Sequence, residues 1–399
     1  MAKLRPYQQD CVEAVKKDLL KSGASLCVLP TASGKSHIIA AVAALAQPVL
    51  ILQPSRELLD QNRAKLALVV PEAKIGVYSA SFGKKEIKQF TFATIQSVYT
   101  KPELFKHIPL VIIDECHQVQ LRSLGSMYGK FLKGMGNPKI IGTTATCFRQ
   151  EIGYFRHPNG DLEAITMLKM LPRMRHKSQS EMFWKRVIFD VSHGTLLEQG
   201  YLCPLEYIYE PLVPYEEIPI NTSRSDFNLE AYAKSVVGME AQILNTIAEA
   251  QKKYKSVLVF CATTTQATHL SSVVVGSAVV TANTPPKGRQ KIVDDFKNGK
   301  IKTVFNMGIF TTGFDKPDLE CILLLRPTRS LVLYQQMIGR LVRIAPGKTK
   351  GVVIDFTGTV KNLGRIETFE MYQNERGLWN LRTEKHDSWH DRPLYSFIV

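Results

Sequence analysis

Long apolar runs are missing from this chain. No stretch reaches the roughly 18 residues that a membrane-crossing helix needs. The opening Met1-Ala2-Lys3-Leu4-Arg5-Pro6-Tyr7 also lacks the apolar segment of a secretory signal. We therefore expect no membrane span and a cytoplasmic location. No CxxC pair occurs among the seven cysteines, at 11, 27, 116, 147, 203, 261 and 321. That scatter argues against a zinc module and a disulfide framework, and suits a reducing compartment. Acidic residues are in deficit: 36 Asp and Glu face 51 Lys and Arg, a net charge of +15. The excess favours a polyanionic partner such as nucleic acid, with a merely basic protein as the plainer alternative. Short-period repeats and low-complexity tracts are absent too. What remains is a 399-residue chain with 45% hydrophobic residues. It is long enough for two or three domains and apolar enough to rule out global disorder.

Strand-like and helix-like stretches alternate along most of the length, the pattern of βαβ units and a parallel sheet. Two such blocks stand out, roughly 1–150 and 241–362. In the first, Leu110 to Ile113 reads as a buried strand that runs into Asp114-Glu115-Cys116-His117. Adjacent carboxylates at a strand end must be paired, metal-bound or exposed in a cleft. Nucleotide hydrolysis would use Asp114 in a Mg²⁺ shell and Glu115 to orient and deprotonate water. An ordinary strand end with solvated carboxylates is the simpler alternative. Ser25 to Leu29 predicts another strand, Pro30-Thr31-Ala32-Ser33-Gly34-Lys35-Ser36 a loop, and Ile38 to Leu45 a helix. Loop amides and a helix N-terminus attract phosphate, with Lys35 reaching the β/γ-phosphates and Ser36 ligating Mg²⁺. The strict GxxxxGK[ST] pattern asks for glycine at 29, where this chain has Leu29.

Other segments are weaker singly. Gln8, near the start of an amphipathic helix, has the donor and acceptor to pair with adenine. Pro54-Ser55-Arg56-Glu57-Leu58 and Thr91 to Ser97 place Arg56, Thr94 and Gln96 near strand ends, where they could meet a phosphodiester backbone. Thr143-Thr144-Ala145-Thr146 ends the strand begun at Lys139, and its hydroxyls could bond the acidic pair. Lys169, Arg173, Arg175, Lys177, Lys185 and Arg186 crowd near Phe183 and Trp184, as either a single-strand contact or a solvated face. Ser192 to Leu202 predicts a helix that closes the first domain, and Pro211 to Arg224 a connector. In the second block, strands are expected at 256–261, 278–281, 303–306, 321–325 and 352–355. Loops there carry Thr284 and Thr311-Thr312-Gly313-Phe314-Asp315. A helix is expected to hold Gln336, Arg340 and Arg343, the two arginines sharing one face.

The ordered set Leu-Arg-Pro-Tyr-Gln, Pro-Thr-Ala-Ser-Gly-Lys-Ser, Pro-Ser-Arg-Glu-Leu, Asp-Glu-Cys-His, Thr-Ala-Thr, Thr-Thr-Gly-Phe-Asp and Gln-x-x-Gly-Arg-x-x-Arg resembles the superfamily 2 helicases of the DEAD/DEAH-like group. It is similar in particular to RadD-type bacterial repair helicases and to the motor subunits of restriction enzymes, over about residues 4–360. That family tolerates the missing first glycine.

The resemblance implies an α/β fold of two tandem RecA-like domains, each a parallel sheet flanked by helices, with ATP in the interdomain cleft. The expected bounds are 1–205 (with a basic insert at about 151–190), a connector at 206–240, 241–362, and a 363–399 tail packed on the second domain. Carried over by position, Arg5 and Gln8 belong to the adenine site. Thr31, Ala32, Ser33, Gly34, Lys35 and Ser36 hold the phosphates, with Mg²⁺ on Ser36 and Asp114. Gly313 and Asp315 lie by the ribose, and Glu115, Gln336, Arg340 and Arg343 serve hydrolysis. His117, Thr144, Ala145 and Thr146 couple it to nucleic acid, and Arg56, Thr94, Gln96, Thr284 and Thr311 line the strand. The expected partner is DNA, single-stranded or forked, gripped by its backbone in a bacterial or phage-infected cell. RadD-type zinc segments have no counterpart here, so no zinc is expected.

Overall fold

A computed structural model describes residues 4–119, 127–156, 162–170, 183–223, 225–310, 314–373 and 379–384; of 149–156, 162–170 and 379–380 it describes the backbone alone. The chain divides into two units that part at Ser192–His193, apart from two short excursions. No helix among the described residues is long and apolar enough to cross a membrane.

The first unit starts with α1 (Pro6–Asp18), whose Pro6 sits where a missing N–H costs nothing. Then follow β1 (Ala24–Val28), α2 (Lys35–Ala43), β2 (Val49–Gln53), α3 (Arg56–Val69), β3 (Ile75–Ser79), β4 (Lys84–Lys85), β5 (Phe90–Thr94), α4 (Ile95–Val98), β6 (Leu110–Asp114), α5 (Met127–Gly134) and β7 (Lys139–Thr144). A separate two-stranded sheet, β8 (Phe148–Arg156) and β9 (Leu162–Met170), groups for the most part with the second unit, and the first unit resumes with β10 (Trp184–Asp190). The eight-stranded sheet runs β10-β1-β7-β6-β2-β5-β3-β4 and is parallel except for β4. Strands β1, β2, β5 and β6 are buried at every position, as a sheet covered by helices on both faces demands. Because β7 lies between β1 and β6, its end stands between the Lys35 loop and Asp114. In such sheets the carboxyl ends of the strands are where a site is built.

The second unit comprises α6 (His193–Glu198), β11 (Leu205–Tyr209), α7 (Leu229–Ser235), α8 (Glu240–Lys253), β12 (Val257–Cys261), α9 (Thr264–Val273), β13 (Ser277–Val280), α10 (Pro286–Lys297), β14 (Thr303–Asn306), β15 (Cys321–Leu325), α11 (Leu331–Ile338), β16 (Gly351–Asp355), α12 (Thr359–Leu363), β17 (Glu370–Gln373) and β18 (Trp379–Arg382). Its six-stranded parallel sheet runs β11-β16-β15-β12-β14-β13. Val259, Phe305, Leu323 and Ile354 fill its core. The five strands expected in this block fall within a residue of those observed. The described part of the tail packs here, through Phe369 against Tyr334 and Glu367 on the Tyr207 hydroxyl.

Three expectations need correction. The stretch 206–240 is not a bare connector: β11 pairs in parallel with β16, and α7 follows it. Its half-exposed Leu-Glu-Tyr-Ile-Tyr is an edge strand, which lacks the continuous apolar run that marks a buried one. The C-terminal part of the basic insert is likewise a strand, β10, and Arg186 is committed to Asp18 at 2.6 Å rather than to solvent. Burial opposes the charge of Asp18, but Arg186 and Lys139 outweigh it and hold the carboxyl below its ordinary pKa. Arg173, Arg175 and Lys177 lie outside the described residues. Finally, the helix expected at 192–202 is only His193–Glu198 and belongs to the second unit.

His193 yields a prediction. Its ring is buried, Nε2 has no hydrogen-bond partner among the described residues, and burial lowers its pKa to about 4. Unfolded, it would titrate near the ordinary value of about 6.5. Between those values the unfolded chain binds more protons, so stability falls as pH drops from about 6.5 towards 4. The expected loss is about 3 kcal/mol. Urea titrations of wild type and His193→Leu check this: the variant should be less sensitive to pH across that window.

Candidate active site

The phosphate-type loop follows β1 directly. Leu29, in the place of the missing glycine, is fully buried, and its amide donates to Thr144 O at 2.8 Å. A side chain that points into the core needs no glycine. Ala32 and Gly34 both adopt left-handed backbone, φ +68° and +73°. Gly34 then precedes α2, whose first-turn amides have no intrahelical acceptor. A Cβ on Gly34 would stand 2.6 Å from Gln8 Nε2, so loop and Gln8 are in close apposition. Gln8 is itself 4% exposed. Its Oε1 accepts from Arg5 N, its Nε2 donates to Ser33 O, and the Tyr7 hydroxyl donates to the same carbonyl at 2.5 Å. The structure thus gives Gln8 the task of holding the loop, beside the adenine contact expected of it.

Lys35 extends across the loop to the acidic pair. Its Nζ lies 2.6 Å from Glu115 Oε1 and 3.7 Å from Asp114 Oδ1. Burial works against its charge, but the two carboxylates outweigh it and hold its pKa above the usual lysine range. Asp114 is pushed the other way: burial raises its pKa, and Lys35 only partly offsets that. Three donors fix this carboxylate. Thr143 Oγ1 and the Glu115 amide donate to Oδ1 at 3.0 and 2.9 Å, and Asn62 Nδ2 donates to Oδ2 at 3.0 Å. Glu115 adopts φ +47°, a conformation rare for a side-chain-bearing residue and common where function demands it. From Glu115 the contacts continue. His117 Nδ1 lies 3.4 Å from Glu115 Oε2 and 2.9 Å from Thr144 Oγ1. Thr144 Oγ1 donates to Thr146 O and accepts from Thr146 N. Lys35, Glu115, His117, Thr144 and Thr146 therefore form one connected path past half-buried Ala145.

The donor set fits Mg²⁺. That ion takes hard oxygen ligands, usually one or two carboxylates with phosphate oxygens and water completing the shell. A buried, oriented Asp114 and the Ser36 hydroxyl on the first turn of α2 meet that demand. No group of three His, Cys, Asp or Glu side chains able to hold a metal by themselves stands among the described residues. Phosphate oxygens would supply the rest.

Asn62 escaped the sequence reading. It is an amide on the buried face of α3, indistinguishable by pattern from a surface residue until the fold sets it against Asp114. Outer-shell partners of this kind are worth about 10- to 100-fold in metal affinity. Asn62→Leu should weaken Mg²⁺ binding by that factor; an unchanged Mg²⁺ titration would contradict a role for Asn62 in holding the ion.

A second cluster lies beyond the ends of β2, β3 and β5. Arg56 donates to Ser81 O at 2.6 Å and lies over the Phe82 ring at 4.5 Å. The Thr94, Ser79 and Ser97 hydroxyls form a chain, and Gln96 is exposed beside them.

The remaining candidates belong to the second unit. Thr284 Oγ1 caps its own loop by accepting from Thr281 N. Thr311 and Gly313 lie outside the described residues. Gln336 is half-buried on α11. Arg340 and Arg343 do not share a helical face as expected, because α11 ends at Ile338 and Gly339 caps it. They converge instead on one acceptor: Phe314 O receives Arg340 Nη1 at 2.9 Å and Arg343 Nη1 at 3.4 Å. Arg343 also pairs with Asp315 at 2.8 Å. Phe314 is stacked on Phe310 at 4.3 Å and on Phe296 of α10 at 6.0 Å, so the acceptor stands on an aromatic base.

Two family profiles match the chain: "Type III restriction enzyme, res subunit" over residues 1–149 and "Helicase conserved C-terminal domain" over 239–345. A protein of Saccharomyces cerevisiae, provisionally named ATP-dependent helicase IRC3, is 27% identical over 89% of this chain and 51% of its own length. The "DNA 3'-5' translocase XPB2" of Sulfurisphaera tokodaii is 23% identical over 85% of this chain and 78% of its own. Among solved structures, a fragment of a type I restriction-enzyme HsdR subunit, provisionally assigned, from Vibrio vulnificus superposes with a TM-score of 0.64 at 18% identity. That match covers 90% of this chain and 65% of that one. The chain thus spans about half the length of the yeast relative.

Proposed function

Since the chain belongs to the superfamily 2 helicases, related to the motor subunits of restriction enzymes, we propose that it is a nucleic-acid-dependent ATPase. It couples Mg-ATP hydrolysis to movement along DNA or to its unwinding. The observation that carries this reading is the Lys35–Glu115 contact and the path from it through His117 to Thr146.

In the structure Lys35 neutralises the carboxylates that would do the chemistry. A triphosphate cradled by the loop amides gives Lys35 a new partner. Glu115, released from Lys35, would then orient a water and accept its proton. Mg²⁺, when bound, supplies positive charge to the phosphate oxygens from a position that Ser36 and Asp114 would hold. Arg340 and Arg343, which converge on Phe314 O, would be the arginine groups that stabilise charge on the γ-phosphate. Movement of Glu115 is felt at His117, hence at the Thr144–Thr146 turn. That gives hydrolysis a mechanical route to the strand. Arg56, Thr94 and Gln96 would grip the backbone, so affinity should fall steeply with salt and depend little on sequence.

A duplex translocase that leaves the strands paired is the second reading, favoured by the relative named as a translocase. Two assays with ATP separate the readings: release of a labelled strand from a forked duplex, and displacement of a third strand from a blunt duplex. Release supports the helicase; displacement without release supports the translocase. Neither signal, with ATP consumed, overturns the coupling to movement.

A further inference from the structure

We propose that Lys348 is a positioning residue for hydrolysis, locking the turn that carries Arg340 and Arg343. The inference rests on the arginine role given above and extends it to a residue outside the motifs.

The local sequence builds the contact. Ala345-Pro346-Gly347-Lys348 has Pro and Gly at the two central positions of a type II turn. Gly347 has the required positive φ of +75°, and Lys348 N donates to Ala345 O at 3.1 Å. The turn reverses the chain and brings Lys348 back over the arginines. Its Nζ lies 2.5 Å from Leu341 O and 3.0 Å from Arg343 O. A third carbonyl, Pro317 O, lies at 3.3 Å. Between the first two, Val342 O accepts from Cys203 N at 2.8 Å. Three successive carbonyls of the arginine turn are therefore held. One cation also ties that turn to the Phe314–Pro317 loop, where the two guanidinium groups already meet Phe314 O. Outside a helix, these two arginines have no periodic backbone to aim them, and the lysine supplies the missing constraint.

The chemistry of the clamp sets a pH signature. An ammonium has three donors for three carbonyls. A neutral amine has two, and turns a lone pair towards the third. Burial, helped by Arg343, lowers the pKa of Lys348 to about 8 against the pull of Cys203, Asp318 and Glu320. The charge is thus lost as pH rises through about 8, and the turn loosens.

The test uses the whole chain with Lys348→Met, Lys348→Arg and, as reference, Arg343→Ala. Nucleic-acid-stimulated ATP hydrolysis is followed from pH 7 to 9, with thermal unfolding alongside. Misplacing a catalytic group by about an ångström can cost up to about 100-fold. Lys348→Met should therefore lose about 10- to 100-fold in kcat with little change in the KM for ATP. The wild-type kcat should decline above about pH 8. Lys348→Arg, which keeps its charge, should retain more activity than Lys348→Met and lose that decline. A wild-type profile flat across pH 8, or a decline unchanged in Lys348→Arg, overturns the proposal even if the methionine variant fails to fold. Full kcat in a folded Lys348→Met while Arg343→Ala is impaired overturns it alone; an unimpaired Arg343→Ala removes the arginine role beneath it.

Discussion

Replacing Glu115 by Gln should leave ATP bound and unhydrolysed. The side chain keeps its size and its place beside Lys35 but loses the ability to take a proton. A positioned general base contributes about 10²- to 10⁴-fold, and turnover should fall by that factor. Affinity for nucleotide should stay near wild type, because in the proposed site the loop amides, Lys35 and the helix N-terminus would hold the phosphates. Asp114 would feel the change as well. Glu115 is among the causes that raise its pKa, and a neutral neighbour removes that repulsion. Fluorescent-nucleotide binding and single-turnover hydrolysis together settle the matter. Near-normal turnover in Glu115→Gln would take the proton-accepting role from this residue.

Loss of an arginine should be as severe. Arginine groups that stabilise charge in phosphoryl transfer are worth about 10³- to 10⁵-fold in kcat. Arg343→Ala should show a loss of that order in stimulated turnover, with ATP and DNA affinities close to wild type. Arg340→Ala should behave alike, because both side chains start from the same acceptor, Phe314 O. Lysine is a poor replacement at either position: it has neither the planar fork nor the delocalised charge. Asp315 adds a second expectation. It now pairs with Arg343, so Asp315→Asn should free Arg343 in the resting state and disturb turnover less than loss of the arginine itself. Turnover in Arg343→Ala within a few-fold of wild type would show that hydrolysis proceeds without it.

The parts of this site that local chemistry dictates were legible in the residues. Leu110 to Ile113 reads as a buried strand and is one, and the carboxylate pair at its end, open on sequence to an ordinary solvated strand end, is paired with Lys35. Gly34-Lys35-Ser36 reads as the end of a loop with the helix beginning at Ile38; the helix instead begins at Lys35, which puts Lys35 and Ser36 on its first turn. The hydroxyls of the Thr143–Thr146 strand end are, on sequence, one option for bonding the acidic pair, and Thr143 does donate to Asp114. Residues placed by distant partners were not legible. Asn62 reaches across 52 positions of sequence to Asp114. Its own helix offers no reason for a buried amide. Arg186 reads as either a single-strand contact or part of a solvated face, and the parallel pairing of β10 with β1 sets it against Asp18 instead. The arginine pair was misjudged for a local reason: three-residue spacing reads as one helical face only if the helix continues, and Gly339 ends it. Leu29 shows the converse. It broke a motif in the sequence, and in the fold it is simply a core residue with its amide on Thr144.

Steady-state ATP hydrolysis tests the account most directly. It should be measured without nucleic acid and with single-stranded DNA, forked DNA, duplex DNA and single-stranded RNA, each at low and high salt. The account predicts strong stimulation by single-stranded or forked DNA that weakens steeply as salt rises. Stimulation by duplex alone would move the assignment to a translocase, and by RNA alone to an RNA motor on the same ATP site. Hydrolysis that stays flat with every nucleic acid would contradict the coupling between the Lys35–Glu115 site and a bound strand.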